Sequence, residues 1–67
     1  MIVLNGERAE VKPGETLASV LAGLGLSAQA PGVAVAVDGE VVARAQWETF
    51  ALAQNARVEV LTAMQGG

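Results

Sequence analysis

A chain of 67 residues is one domain, and at that size folding buries only about 60% of the extended surface, which leaves no core volume for a deep cleft with its own catalytic machinery. Cysteine and histidine are both absent, which excludes disulfides, thiolate metal sites, a Cys nucleophile and the usual general base near neutral pH. Seven carboxylates against four basic side chains give a net charge of −3, which argues against nucleic acid, where Lys and Arg contacts to phosphate dominate affinity, and suits docking onto a basic protein surface.

Met1-Ile2-Val3-Leu4 is a short apolar run closed by Asn5-Gly6. Asn-Gly between strand-like runs is the strongest short hairpin signal, because both residues accept positive φ. The return strand, residues 8–12, alternates, with Arg8, Glu10 and Lys12 on one face and Ala9 and Val11 on the other. Pro13-Gly14 breaks it. Thr16 then reads as a helix N-cap, with Glu15 beside it at the positive end of the helix. Leu17, Val20, Leu21 and Leu24 recur at the spacing of one helix face. Ala18, Ser19 and Ala22 take the other side, and Gly23 and Gly25 suit the exit. So short a helix does not hold alone, so its leucines predict a sheet beneath them.

Residues 27–32 read as a loop. Val33-Ala34-Val35-Ala36-Val37 is the most regular strand, its valines on one face, and Asp38-Gly39 turns it into Glu40-Val41-Val42-Ala43. Residues 44–55 are less regular. Trp47, Phe50 and Leu52 read as packing anchors of a crossover with a short helical turn rather than as a binding cage, and Arg44 as a solvated or locally hydrogen-bonded side chain. The last strand is residues 57–63, and Met64-Gln65-Gly66-Gly67 follows as a flexible tail. The glycine turns lack the spacing of a phosphate loop and the carboxylates lack that of a calcium loop, so no metal and no bound cofactor is expected. The first apolar run is too short for a signal segment, and none approaches the ~20 apolar residues of a membrane span. The expectation is a soluble, cytoplasmic protein that meets neither membrane nor nucleic acid.

The order β-β-α-β-β-β reads as α+β, a mixed sheet of about five strands with one main helix packed across it. For the chain to close compactly, the first and last strands must lie side by side and parallel. That arrangement is the β-grasp, or ubiquitin-like, fold, with residues 1–67 as one domain and residues 64–67 as its tail.

Four stretches carry a further likeness: Met1-Ile2-Val3-Leu4-Asn5-Gly6, then Val35-Ala36-Val37-Asp38-Gly39-Glu40-Val41-Val42, then Arg44 with Trp47, then Arg57-Val58-Glu59-Val60-Leu61-Thr62-Ala63-Met64-Gln65-Gly66-Gly67. In this order and with this ending the chain resembles the ThiS family of thiamine-biosynthesis sulfur carriers over essentially its full length. It departs from the family pattern at Asp38, often Asn, at Ala43, often Pro, and at Gln54-Asn55-Ala56, where the family tends to have a Gly-containing acidic turn. Asn55 accepts the left-handed conformation such a turn wants. The resemblance implies a carrier and co-substrate rather than an enzyme. An adenylating partner (ThiF-like) uses ATP to activate the carboxylate of Gly67, a sulfur donor converts it to a thiocarboxylate, and a thiazole synthase (ThiG-like) consumes the sulfur.

The residues of the tail suit that chemistry. A tail without Cβ atoms at Gly66 and Gly67 can thread a narrow channel in another protein, and its free backbone groups can pair with the partner as an added strand. Met64 and Gln65 complete it. In the last strand Val58, Val60 and Thr62 share one parity, and Arg57, Glu59, Leu61 and Ala63 the other. If the first set faces the helix, Leu61 and Ala63 face outward with Val3, Ala34 and Ala36. Rimmed by charge such as Glu59, these form a modest apolar docking patch. Three alternatives remain open: a sulfur carrier of another pathway, molybdopterin or tRNA thiolation; a non-carrier β-grasp protein-interaction module; and a structural or regulatory domain that needs no free carboxylate. Residues fused after Gly67 abolish the function of a carrier and leave a module untouched.

Overall fold

Both Gly-containing pairs make the turns their composition predicts. Asn5 and Gly6 have φ of 49° and 83°, and Asp38 and Gly39 have φ of 51° and 86°, positive at both central positions, as a two-residue hairpin that follows the strand twist requires. The computed structural model describes residues 1–27 and 31–62. The first turn joins β1 (Ile2–Leu4) to β2 (Glu7–Ala9), and the second joins β3 (Val33–Val37) to β4 (Glu40–Val41). Between them lies α1 (Leu17–Gly23), and after them come a 3-10 turn (Arg44–Gln46) and β5 (Arg57–Thr62).

β5 lies at the centre of the sheet, whose order is β2-β1-β5-β3-β4. It runs parallel to β1, with Val3 opposite Arg57 and Leu4 opposite Val58. It runs antiparallel to β3, from Val33 opposite Thr62 to Val37 opposite Val58. The first and last strands are adjacent and parallel, and one helix lies across a five-stranded mixed sheet. This is the β-grasp fold.

The return strands are shorter than their alternation suggests. β2 stops at Ala9, the partner of Ile2, and the carbonyl of Met1, the residue before β1, accepts instead from Asn55 N–H at 2.8 Å. The Lys12 N–H turns instead to Glu15 Oε1 at 2.9 Å. β4 ends at Val41: the Val42 N–H still reaches Val35 O at 2.9 Å, but the Val42 carbonyl accepts a 3.0 Å bond from Trp47 Nε1.

At the start of any helix the first backbone N–H groups lack intrahelical partners; here those of Leu17, Ala18 and Ser19 find partners outside the ladder, and the ladder itself begins at Val20. Leu17 N–H donates to Phe50 O at 3.0 Å and Ala18 N–H to Trp47 O at 2.9 Å. Ser19 N–H donates to Thr16 Oγ1 at 3.3 Å, and Val20 N–H to Thr16 O at 3.1 Å. Thr16 is thus the N-cap, and the irregular segment after β4 receives the helix. The exit is a Schellman motif: Leu26 N–H reaches Leu21 O at 2.9 Å, Gly25 N–H reaches Ala22 O at 3.0 Å, and Gly25 takes a φ of 82°.

Leu17 and Leu21 enter one core cluster with Ile2, Val35, Val37, Val42, Trp47, Leu52, Ala56, Val58 and Val60. Two assignments change. Leu24 is 49% exposed. It sits at the C-cap where the helix has ended, and Leu26, carried back by the Schellman turn, packs on the core in its place. Ala18, expected on the outer side, also packs against the core. Trp47 is buried and Phe50, partly buried, packs against the same core, the anchor roles expected of both.

Glu15 N–H also donates to Lys12 O at 3.0 Å. The Lys12 backbone N–H, and then the Ser19 hydroxyl at 2.8 Å, hold the Glu15 carboxyl below its ordinary value of 4.5. A group with a depressed folded-state pKa adds stability above its unfolded pKa and loses it as pH falls through the folded one. Glu15→Gln is therefore expected to make the chain less acid-sensitive below about pH 4.5, where wild type loses this contribution, and slightly less stable at neutral pH. Urea midpoints at neutral and acid pH check this. Equal shifts at both would show that the carboxylate is not stabilised by these bonds.

Candidate functional site

Burial along β5 alternates, and that alternation builds the site. Val58 and Val60 are buried under the helix, and Arg57, Glu59 and Leu61 point away from it. Thr62 shares parity with the valines but is exposed. It is paired with Val33, the first residue of β3, which is only partly buried at the margin of the core.

The outward face is fixed by the strand register, since residues paired across strands share a face. Arg8, Val3 and Arg57 form one row, with Val3 between the two arginines. Glu59, Ala36 and Val41 form a second, and Leu61 with Ala34 a third. The expected docking residues Val3, Ala36, Glu59 and Leu61 therefore do lie on one face, and Ala34 lies with them. Leu61 is 66% exposed and Val41 80% exposed. Ala63 and the tail residues Met64, Gln65, Gly66 and Gly67 lie outside the described residues.

Val41 is absent from the docking set expected from the sequence. A two-residue turn at Asp38-Gly39 places Glu40 opposite Val37 and hence Val41 opposite Ala36, so counting across the turn finds it. Two shallow depressions flank the Arg57–Glu59 pair. One is lined by Val3, Asn5 and Gly6, the other by Asp38, Gly39 and Asn55.

Both turns also grip β5 with side chains. Val60 N–H donates to Asn5 Oδ1 at 2.8 Å, and Asn5 Nδ2 donates to Val60 O at 3.3 Å. On the other side Asp38 Oδ1 accepts the Arg57 N–H at 3.0 Å, while Asp38 N–H donates to Arg57 O at 2.8 Å. Only an acceptor is used at Asp38, so Asp serves where the family often has Asn. Asn55 takes a φ of 64°, the left-handed conformation expected of it. Arg44 is locally bonded: its Nη2 donates to Val33 O at 3.3 Å and its guanidinium lies 4.7 Å above the Trp47 ring. Among the described residues no cluster of three acidic side chains could hold a metal ion. Nor is any helix there long and apolar enough to cross a membrane.

The ThiS family model matches residues 2–67, from the first strand through both terminal glycines. The chain belongs to the ThiS family. No curated protein sequence matches it. Among solved structures it is similar to a crystal structure of the thiamine biosynthesis protein ThiS from Geobacter metallireducens, at 29% identity and a TM-score of 0.79, with 98% of this chain and 97% of that chain covered. In this ThiS-family chain the outward sheet face includes Leu61, near the end of β5, and residues 63–67 follow in the sequence.

Proposed function

We propose that this chain is a sulfur carrier of thiamine biosynthesis whose reactive group is the carboxylate of Gly67. The observation that carries the reading is the family match running to residue 67, so that Gly66-Gly67 falls inside the shared pattern. A carboxylate oxygen of Gly67 attacks the α-phosphorus of ATP on an adenylating (ThiF-like) enzyme, and pyrophosphate leaves. Sulfide supplied by a donor enzyme then attacks the acyl carbon, AMP leaves, and a thiocarboxylate results. A thiazole synthase (ThiG-like) takes the sulfur. ATP belongs to the adenylating partner, and this chain is co-substrate rather than enzyme. The cytoplasm, where ATP is at hand, is its compartment.

The tail residues Met64, Gln65 and Gly66 reach into the partner, while Leu61, Ala63, Glu59, Val3 and Ala36 dock the domain, joined by Val41. An exposed apolar patch with a charged rim is a common partner site. The test is intact mass after incubation with the adenylating enzyme, ATP and a sulfur source. The expected gain equals the difference between sulfur and oxygen, and it is absent from a chain lacking Gly67. No gain with an enzyme shown to be active would leave the chain an interaction module.

A further inference from the structure

On its β1 side β5 receives a regular ladder only as far as Val58. Val3 N–H donates to Ala56 O and Asn5 N–H to Val58 O, both at 2.9 Å. The next rung falls on Val60, two residues on, but β1 has already turned at Asn5-Gly6 and sends no backbone there. The Asn5 side chain fills the gap. Its Oδ1 stands where a further carbonyl of β1 would accept the Val60 N–H, and its Nδ2 where a further N–H would donate to Val60 O. The contact spans 55 positions of sequence and is partly buried. Past Val60 only Leu61 and Thr62 of the strand remain, and the ladder that pairs them is with β3.

We propose that Asn5 is a positioning residue: its side-chain amide imitates one peptide of the missing strand and fixes the course of β5 to its end at Thr62, on which delivery of the Gly67 carboxylate to the adenylating partner depends. This rests on the carrier reading above. The turn alone does not explain the residue, because Gly or Asp also serves at its position in an Asn-Gly-type turn. A terminal carboxylate must meet the α-phosphorus in line, and small misplacements of reacting groups are costly in rate.

Two variants separate the turn from the grip. Asn5→Gly keeps the turn and removes both bonds to Val60. Asn5→Asp keeps the turn and the acceptor for the Val60 N–H, but sets a carboxylate oxygen against Val60 O. Amide hydrogen exchange at Val60 is expected to speed roughly tenfold in Asn5→Gly, the scale of losing a partly buried hydrogen bond. The Val35 amide, in the core, is expected to remain protected, which verifies that the variant is folded. In the loading assay kcat is expected to fall about tenfold or more with KM nearly unchanged, since the docking face is intact, and Asn5→Asp is expected to fall between the two.

Unchanged exchange at Val60 would show that the amide holds nothing, and faster exchange with unchanged kcat would reduce it to a structural clip. Either result overturns the proposal. If wild type itself is not loaded by an active enzyme, the carrier reading fails and the aiming role fails with it, a result distinct from a variant-specific loss.

Discussion

Trp47→Ala is expected to unfold much of the population at ambient temperature. The indole is buried to 1% exposure within the core cluster, and Trp to Ala at such sites costs about 3–5 kcal/mol. A chain of this length has a total stability of only about 3–10 kcal/mol at ordinary per-residue values. The same side chain donates to the Val42 carbonyl, which would be left buried without its partner. Trp47→Phe keeps most of the apolar volume and loses that donor, and is expected to cost about 2 kcal/mol. Circular dichroism during urea unfolding measures both. A loss below about 1 kcal/mol for alanine would mean that the core closes without the indole. Trp47 matters beyond its volume, since its backbone carbonyl caps the second residue of α1.

Leu61→Glu is expected to leave the fold intact and to weaken binding to the adenylating enzyme by about 30-fold or more, the scale of an interface hot spot. Leu61 is mostly exposed and lies beside Ala34 on the outward face, so its replacement removes little burial within the domain. In a complex the same substitution withdraws apolar contact and buries a charge. Leu24 is the control. It is also exposed, but it stands at the end of the helix that covers the opposite face of the sheet, and Leu24→Glu is expected to bind as wild type does. Titration calorimetry with melting temperatures decides between the faces. Unchanged affinity for Leu61→Glu removes this face from the docking surface, and weakened affinity for Leu24→Glu moves the surface to the helix side.

Local signals carried far in this chain. Asn5-Gly6 and Asp38-Gly39 announced their turns because the required backbone angles are properties of those residues alone. Parity along residues 57–61 gave the outward face because a strand has period two. The misreadings arose where a contact is set by a distant segment. The spacing of Leu24 matches the helix face, but periodicity does not see that Gly25 ends the helix and brings Leu26 onto the core. Thr62 keeps the parity of Val60, but parity does not say how far the core extends. The Asn5-Gly6 pair announced only its turn, and nothing in its sequence neighbourhood pointed to Val60.

The position of β5 bears on how the protein is made. In the order β2-β1-β5-β3-β4 the last strand to leave the ribosome is the one that joins the two hairpins. Until it arrives, β1 and β3 each present an unpaired edge, and the helix has only part of a sheet to cover. Long-range pairings of this kind form late, and exposed edges in the interim invite aggregation and proteolysis. A translation product halted before Arg57 lacks the strand that joins β1 to β3. The five residues that follow β5 in the sequence are missing from every such fragment, so a fragment without the central strand is also one without Gly66-Gly67.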